Sequence, residues 1–124
     1  MSLTLPPLYQ GRIIVAVAPT GRGQAKDRPM VITTHRRDIE VSGEFAVVVL
    51  STKFTFPLGP DEILIPIDGA TERSTKLRRP CVAVCDWKPV MSKADIVDDR
   101  GGYLPPSLLT RIVERLGLSR ESYR

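Results

Sequence analysis

The sequence predicts a mainly β fold: a small barrel or sandwich of short strands, with short helical turns and one C-terminal amphipathic helix. Three observations lead there. Eleven prolines and nine glycines punctuate short apolar runs, the spacing of turns expected between brief strands. Val47-Val48-Val49-Leu50 is an unbroken apolar run, the pattern of a strand covered on both faces. Leu108, Leu109, Ile112, Val113 and Leu116 recur at helical spacing and draw a single apolar stripe.

The elements follow in order. Arg12 to Val17 reads as the first strand, closed by Pro19, and the polar Thr20 to Asp27 segment as the loop to a second strand at Met30 to Thr34. Phe45 to Ser51 is the third strand. Pro57, Gly59 and Pro60 turn the chain into a fourth, Glu62 to Ile67. Gly69 to Arg79 is polar and basic and reads as an exposed loop or frayed strand. Pro80 to Cys85 is the fifth strand, around Val82-Ala83-Val84. Pro89 to Ala94 suggests a short helical turn, and Ile96-Val97 one more brief strand. Pro105-Pro106-Ser107 opens the closing helix, Leu108 to Leu116, because a proline in the first turn gives up an N–H that has no helical partner. Gly117 stops it, and the tail from Ser119 is expected to be loose. With no repeat or linker, residues 1–124 read as one domain with its core over about residues 10–117.

Composition limits the function classes. A chain of 124 residues can bury about two-thirds of its unfolded surface, and 42% hydrophobic against 26% charged residues argues against disorder. The longest early apolar run, Ile13 to Ala18, is too short for a membrane span or a signal-peptide core, so a cytoplasmic protein without membrane partners is expected. Net charge is +4, with eleven Lys/Arg against eight Asp/Glu in residues 63–124 and seven against six before them. Such a surplus suits nucleic acid or an acidic protein, and equally a solvated face. The basic clusters are Arg22-Lys26-Arg28, Arg36-Arg37 and Arg73-Lys76-Arg78-Arg79.

Several chemistries fall away. Cys81 and Cys85, four apart on a strand, would lie ~13 Å from each other, beyond disulfide reach. They read as small buried apolar residues. With His35 as the only histidine, a Cys/His zinc site lacks members and a two-histidine acid/base pair is impossible. His35 itself reads as a surface turn residue beside Arg36-Arg37. No metal and no cofactor is expected.

The order of motifs resembles the MazF/PemK family, metal-independent endoribonuclease toxins of bacterial toxin–antitoxin pairs. Gly11-Arg12-Ile13-Ile14-Val15 is similar to the family's opening strand, Pro19-Thr20-Gly21 and Gln24-Ala25-Lys26 to its first loop, and Arg28-Pro29-Met30-Val31-Ile32 to its R-P-x-x-V-I strand. Val48-Val49-Leu50-Ser51-Thr52 matches an apolar strand ending in hydroxyl residues. Pro80 to Trp87 resembles the segment that usually ends in Asp-Gln. The resemblance implies an SH3-like barrel of the CcdB/MazF/PemK type, a homodimer, and attack of a ribose 2′-OH on the adjacent phosphate of single-stranded RNA. It further implies an acidic antitoxin as partner.

Carried over residue by residue, Arg28 falls on the family's arginine and implies a phosphate contact that lysine cannot copy. Ser51 falls on the hydroxyl position and Asp86 on the proposed general base. Arg28, Ser51 and Asp86 are thus the implied catalytic set, with Arg22, Gln24, Lys26, Thr52, Lys53 and Trp87 as substrate contacts. The chain departs from the family at four places. Gly23 replaces a glutamate, Val84 the arginine that PemK-type members carry two residues before the aspartate, and Trp87 the glutamine; the loop histidine of some members is missing. The rival expectation is a non-catalytic SH3-like barrel that binds a protein or nucleic acid. A related fold also serves gyrase poisons, so the target stays open at this point.

Overall fold

The computed structural model describes residues 7–18 and 26–121. The strands are β1 (Ile13–Val17), β2 (Asp27–Ile32), β3 (Glu44–Ser51), β4 (Glu62–Ile65), β5 (Cys81–Val84), β6 (Val90–Ser92) and β7 (Ile96–Asp98). The helices are α1 (Arg36–Ser42), α2 (Gly69–Thr75) and α3 (Pro106–Arg115). All pairings are antiparallel, in the order β4-β5-β3-β2-β1-β7, and β6 pairs with the early half of β3. One 3-10 turn, Lys93–Asp95, joins β6 to β7. Because β6 is bonded to β3 and β7 to β1, this short connection closes β1-β2-β3-β6-β7 into a ring. The mainly β expectation with a closing helix is what forms.

Strand alternation divides the core between the two faces of that sheet. Ile14, Ala16, Met30, Ile32, Phe45, Val47, Val49 and Met91 fill the barrel, with Ile39 of α1 and Leu8 at its ends. The opposite parity, including Ile13, Val31, Val48, Leu50, Ile63 and Ala83, faces outward and is covered by Leu109, Ile112 and Val113 of α3. The unbroken Val47 to Leu50 run is explained: its odd members line the barrel and its even members lie under the helix. Cys81 and Cys85 are buried and unbridged, and burial pushes the Cys81 thiol up to about 12.

Four expectations are corrected. Gly69 to Arg79 is neither loop nor frayed strand over its first part: Asp68 accepts a hydrogen bond from Thr71 N–H at 2.9 Å and starts α2. Its buried face consists only of Thr71 and Thr75, so no apolar stripe announced it. Pro89 to Ala94 extends as β6 before the 3-10 turn, because β3 offers a free ladder there. His35 is a half-buried residue at the start of α1, with Nε2 2.8 Å from Ser119 O. The tail is held as far as it is described, since the buried Gln10 amide donates to Ser119 O at 2.9 Å and accepts from Glu121 N–H at 2.7 Å. Among the described residues no helix is long and apolar enough to cross a membrane.

Candidate functional site

The site is built where two ladders stop. Thr33 N–H donates to Ala46 O at 3.0 Å and Ile32 N–H to Arg12 O at 2.9 Å. Odd positions of β2 therefore aim their N–H groups at β3 and even positions at β1. Pro29 is odd and has no N–H to give, and the β2–β3 ladder ends at the pair Met30–Val49. Two residues past that pair stand Arg28 on β2 and Ser51 on β3. Both share the parity of Met30 and Val49, so both belong to the barrel-side face of their strands, at one mouth of the barrel.

Across β3 a second irregularity supplies the other wall. The ladder runs β3–β5 up to Val49–Val84 and resumes β3–β6 at Ala46–Val90. Two residues of β3 thus oppose five, residues 85–89, a wide bulge of the kind that re-aims side chains. Val49 N–H donates to Trp87 O at 3.1 Å and fixes the bulge against β3. The indole turns inward onto the barrel core. Its ring centre lies 5.1 Å from the guanidinium carbon of Arg28, a cation–π distance. Arg28 is half-buried, and its Nε is fully buried without a hydrogen-bond partner among the described residues.

The remaining expected residues are placed as follows. Asp86 is exposed in the bulge, beside Trp87 in the chain. The Ser51 hydroxyl accepts from Lys53 N–H at 3.2 Å and reaches Lys53 O at 3.4 Å, closing a two-residue turn at the strand end. Thr52 and Lys53 are exposed on that turn, and Lys26 is exposed just before β2. Arg22 and Gln24, with Gly23, lie outside the described residues. Arg28, Ser51 and Trp87 are thus gathered at one mouth by strand register and the cation–π contact, and Asp86 is exposed one residue before Trp87. The stacking of Trp87 on Arg28 was missed in the sequence: nothing in Cys85-Asp86-Trp87 announces a three-residue bulge, although Trp87 in place of the family's glutamine was the visible signal.

A mouth of this kind presents a cation on β2 beside the hydroxyl at the end of β3, groups able to hold a phosphodiester. The sequence matches no family model and no curated protein. Solved structures do match over nearly the whole chain. MazF from Deinococcus radiodurans is 16% identical, with a TM-score of 0.69 over 90% of this chain and 94% of that one. The chain has the MazF fold. An endoribonuclease in complex with its cognate antitoxin from a mycobacterial species agrees at 17% identity and a TM-score of 0.60, covering 93% and 98%. The Mycobacterium tuberculosis toxin MazF-mt6 agrees at 20% identity and 0.56, covering 86% and 98%. The ring of β1-β2-β3-β6-β7 with its covering helix is thus a MazF-type barrel, the SH3-like architecture that the motif order implied.

Proposed function

We propose that the chain is a metal-independent endoribonuclease toxin that cleaves single-stranded RNA in the cytoplasm, works as a homodimer and is neutralised by an acidic antitoxin. The observation that carries this reading is Arg28, held over Trp87 at the barrel mouth one strand away from Ser51. In the proposed reaction the Asp86 carboxylate takes the proton of a ribose 2′-OH as that oxygen attacks the adjacent phosphorus. The bond from phosphorus to the 5′ oxygen breaks, leaving a 2′,3′-cyclic phosphate and a 5′-hydroxyl. Arg28 stabilises the phosphorane oxygens, where a fixed charge in a water-poor site gives most of the acceleration. Its Nε faces the barrel, so the two terminal nitrogens of the guanidinium carry the phosphate contact. The Ser51 hydroxyl donates to a phosphate oxygen once its turn to Lys53 opens. Val84 occupies the position of the PemK-type arginine, so water is assigned the proton that the leaving 5′ oxygen takes up. Arg22, Gln24, Lys26, Thr52 and Lys53 contact the RNA strand around this centre.

Support for the reading comes from the fold shared with an endoribonuclease in complex with its cognate antitoxin and from the match of Arg28, Ser51 and Asp86 to the positions of the family that the sequence resembles. The test is incubation of the purified protein with mixed-sequence single-stranded RNA, with and without EDTA. Cyclic phosphate ends should form at equal rates in both, and Arg28→Ala should lose cleavage by at least about a hundredfold while remaining folded at the assay temperature. Unchanged cleavage by Arg28→Ala would remove the mechanism. One observation favours a second reading, a binding barrel without catalysis: the Ser51 hydroxyl is already committed to its own turn. Intact RNA that nonetheless comigrates with the protein would establish that alternative.

A further inference from the structure

The bulge that carries Trp87 is pinned along its length. Cys85 N–H donates to Asp61 O at 2.8 Å and Trp87 N–H to Val84 O at 2.9 Å. From β3, Val49 N–H donates to Trp87 O at 3.1 Å and Val47 N–H to Pro89 O at 3.0 Å. The bulge is tied on both sides, and its indole, half-buried, packs against the barrel core. Trp87 is a fixed platform. The Arg28 side chain is held differently. Its backbone pairs with Ala16 of β1, beyond the last β2–β3 pair, Met30–Val49, and its Nε is buried without a hydrogen-bond partner among the described residues. So long a side chain takes many rotamers unless something orders it, and the guanidinium carbon lies over the indole, 5.1 Å from the ring centre. A carboxylate in that place would also hold the guanidinium, but it would neutralise the charge and occupy the donors. An aromatic face attracts the cation through its quadrupole and leaves the charge, with the terminal nitrogens, for a phosphate.

We propose that Trp87 is a positioning residue: held by its bulge, it orients the Arg28 guanidinium toward the phosphodiester before RNA arrives. The proposal deepens the functional reading and rests on it for the phosphodiester. Orientation set in advance removes an entropic cost from the bound complex and from the transition state alike. Trp87 therefore acts on RNA through Arg28 and not by stacking on a base. The family that the sequence resembles carries glutamine here, a side chain with no ring face to offer a cation, so the device belongs to this chain.

The test compares Trp87→Leu and Trp87→Phe in the parent and in Arg28→Ala, reading kcat/KM on single-stranded RNA and affinity for an uncleavable 2′-O-methyl RNA. Trp87→Leu should lower kcat/KM by about three- to thirtyfold and weaken the 2′-O-methyl RNA by about threefold or more. Trp87→Phe, which keeps an aromatic face, should recover most of both losses. In the Arg28→Ala background Trp87→Leu should leave that affinity unchanged. If Trp87→Leu melts early, Trp87→Met, an unbranched side chain that fills such gaps, repeats the comparison. A loss of the same size in both backgrounds overturns the proposal, since the ring then meets RNA itself or serves packing alone. A Trp87→Phe variant that loses as much as Trp87→Leu overturns it too. A parent that binds RNA without cleaving it removes the nuclease reading and leaves the affinity comparison to decide the role of Trp87; a parent that does neither overturns both.

Discussion

Arg28 and Trp87 form the contact on which the barrel mouth depends, and neither residue is explained without the other. A guanidinium with Nε buried and without a hydrogen-bond partner is costly; the indole face 5.1 Å away offsets part of that cost and fixes the side chain's direction. A double-mutant cycle with Arg28→Met and Trp87→Leu should give a coupling of about 0.5–2 kcal/mol, measured by urea unfolding. Coupling indistinguishable from zero would mean that the two groups merely adjoin. Much of this site was legible. Arg28-Pro29 before an apolar run and Ser51-Thr52 after one are local signals, and antiparallel pairing brings such strand ends together. The Trp87 contact was not legible, because it depends on how many residues the bulge inserts, and that number is set by where β6 finds its register on β3 rather than by any local preference.

At the scale of elements, propensity and pairing compete. Each strand that carries an apolar run was readable from that run alone, and α3 from its stripe. The two seven-residue helices were not, since α1 buries only Ile39 and α2 only two threonines. What specifies α2 is its cap. The Asp68 carboxylate accepts the Thr71 N–H, which holds its pKa below the ordinary carboxylate value. A depressed native pKa contributes stability above the unfolded value, ~4, and loses it as pH falls through the native one. Asp68→Ala should therefore melt below the parent at neutral pH, with the difference shrinking as the pH is lowered through and beneath that range. A difference that stays constant from neutral to acid would separate the cap from α2 stability.

At the scale of the whole molecule, a buried ion pair ties the residue before β1 to the chain after β7. Arg12, opening β1, donates through Nε and Nη2 to the two carboxylate oxygens of Asp99 at 3.1 and 2.8 Å, and their side chains are only 7% and 3% exposed. Asp99 also accepts from Gly101 N–H at 3.0 Å, and the Tyr9 ring lies 5.7 Å from the guanidinium carbon. Burial works against the Arg12 charge, and the hydrogen bonds and attraction from Asp99 outweigh it, so the guanidinium pKa rises above its ordinary value. The pair joins residues 87 apart in sequence and anchors the segment that runs from β7 to α3. No local pattern marks Arg12 or Asp99 as partners, and in the sequence each reads as one charge among many. Removing one member strands the other in a nonpolar surrounding, whereas removing both does not. Asp99→Ala should consequently cost about 3–5 kcal/mol in urea unfolding, and the double variant Arg12→Met, Asp99→Leu should recover most of that loss. If Asp99→Ala unfolds within about 1 kcal/mol of the parent, the buried charge has found water or another partner, and closure of the molecule rests on the apolar cores alone.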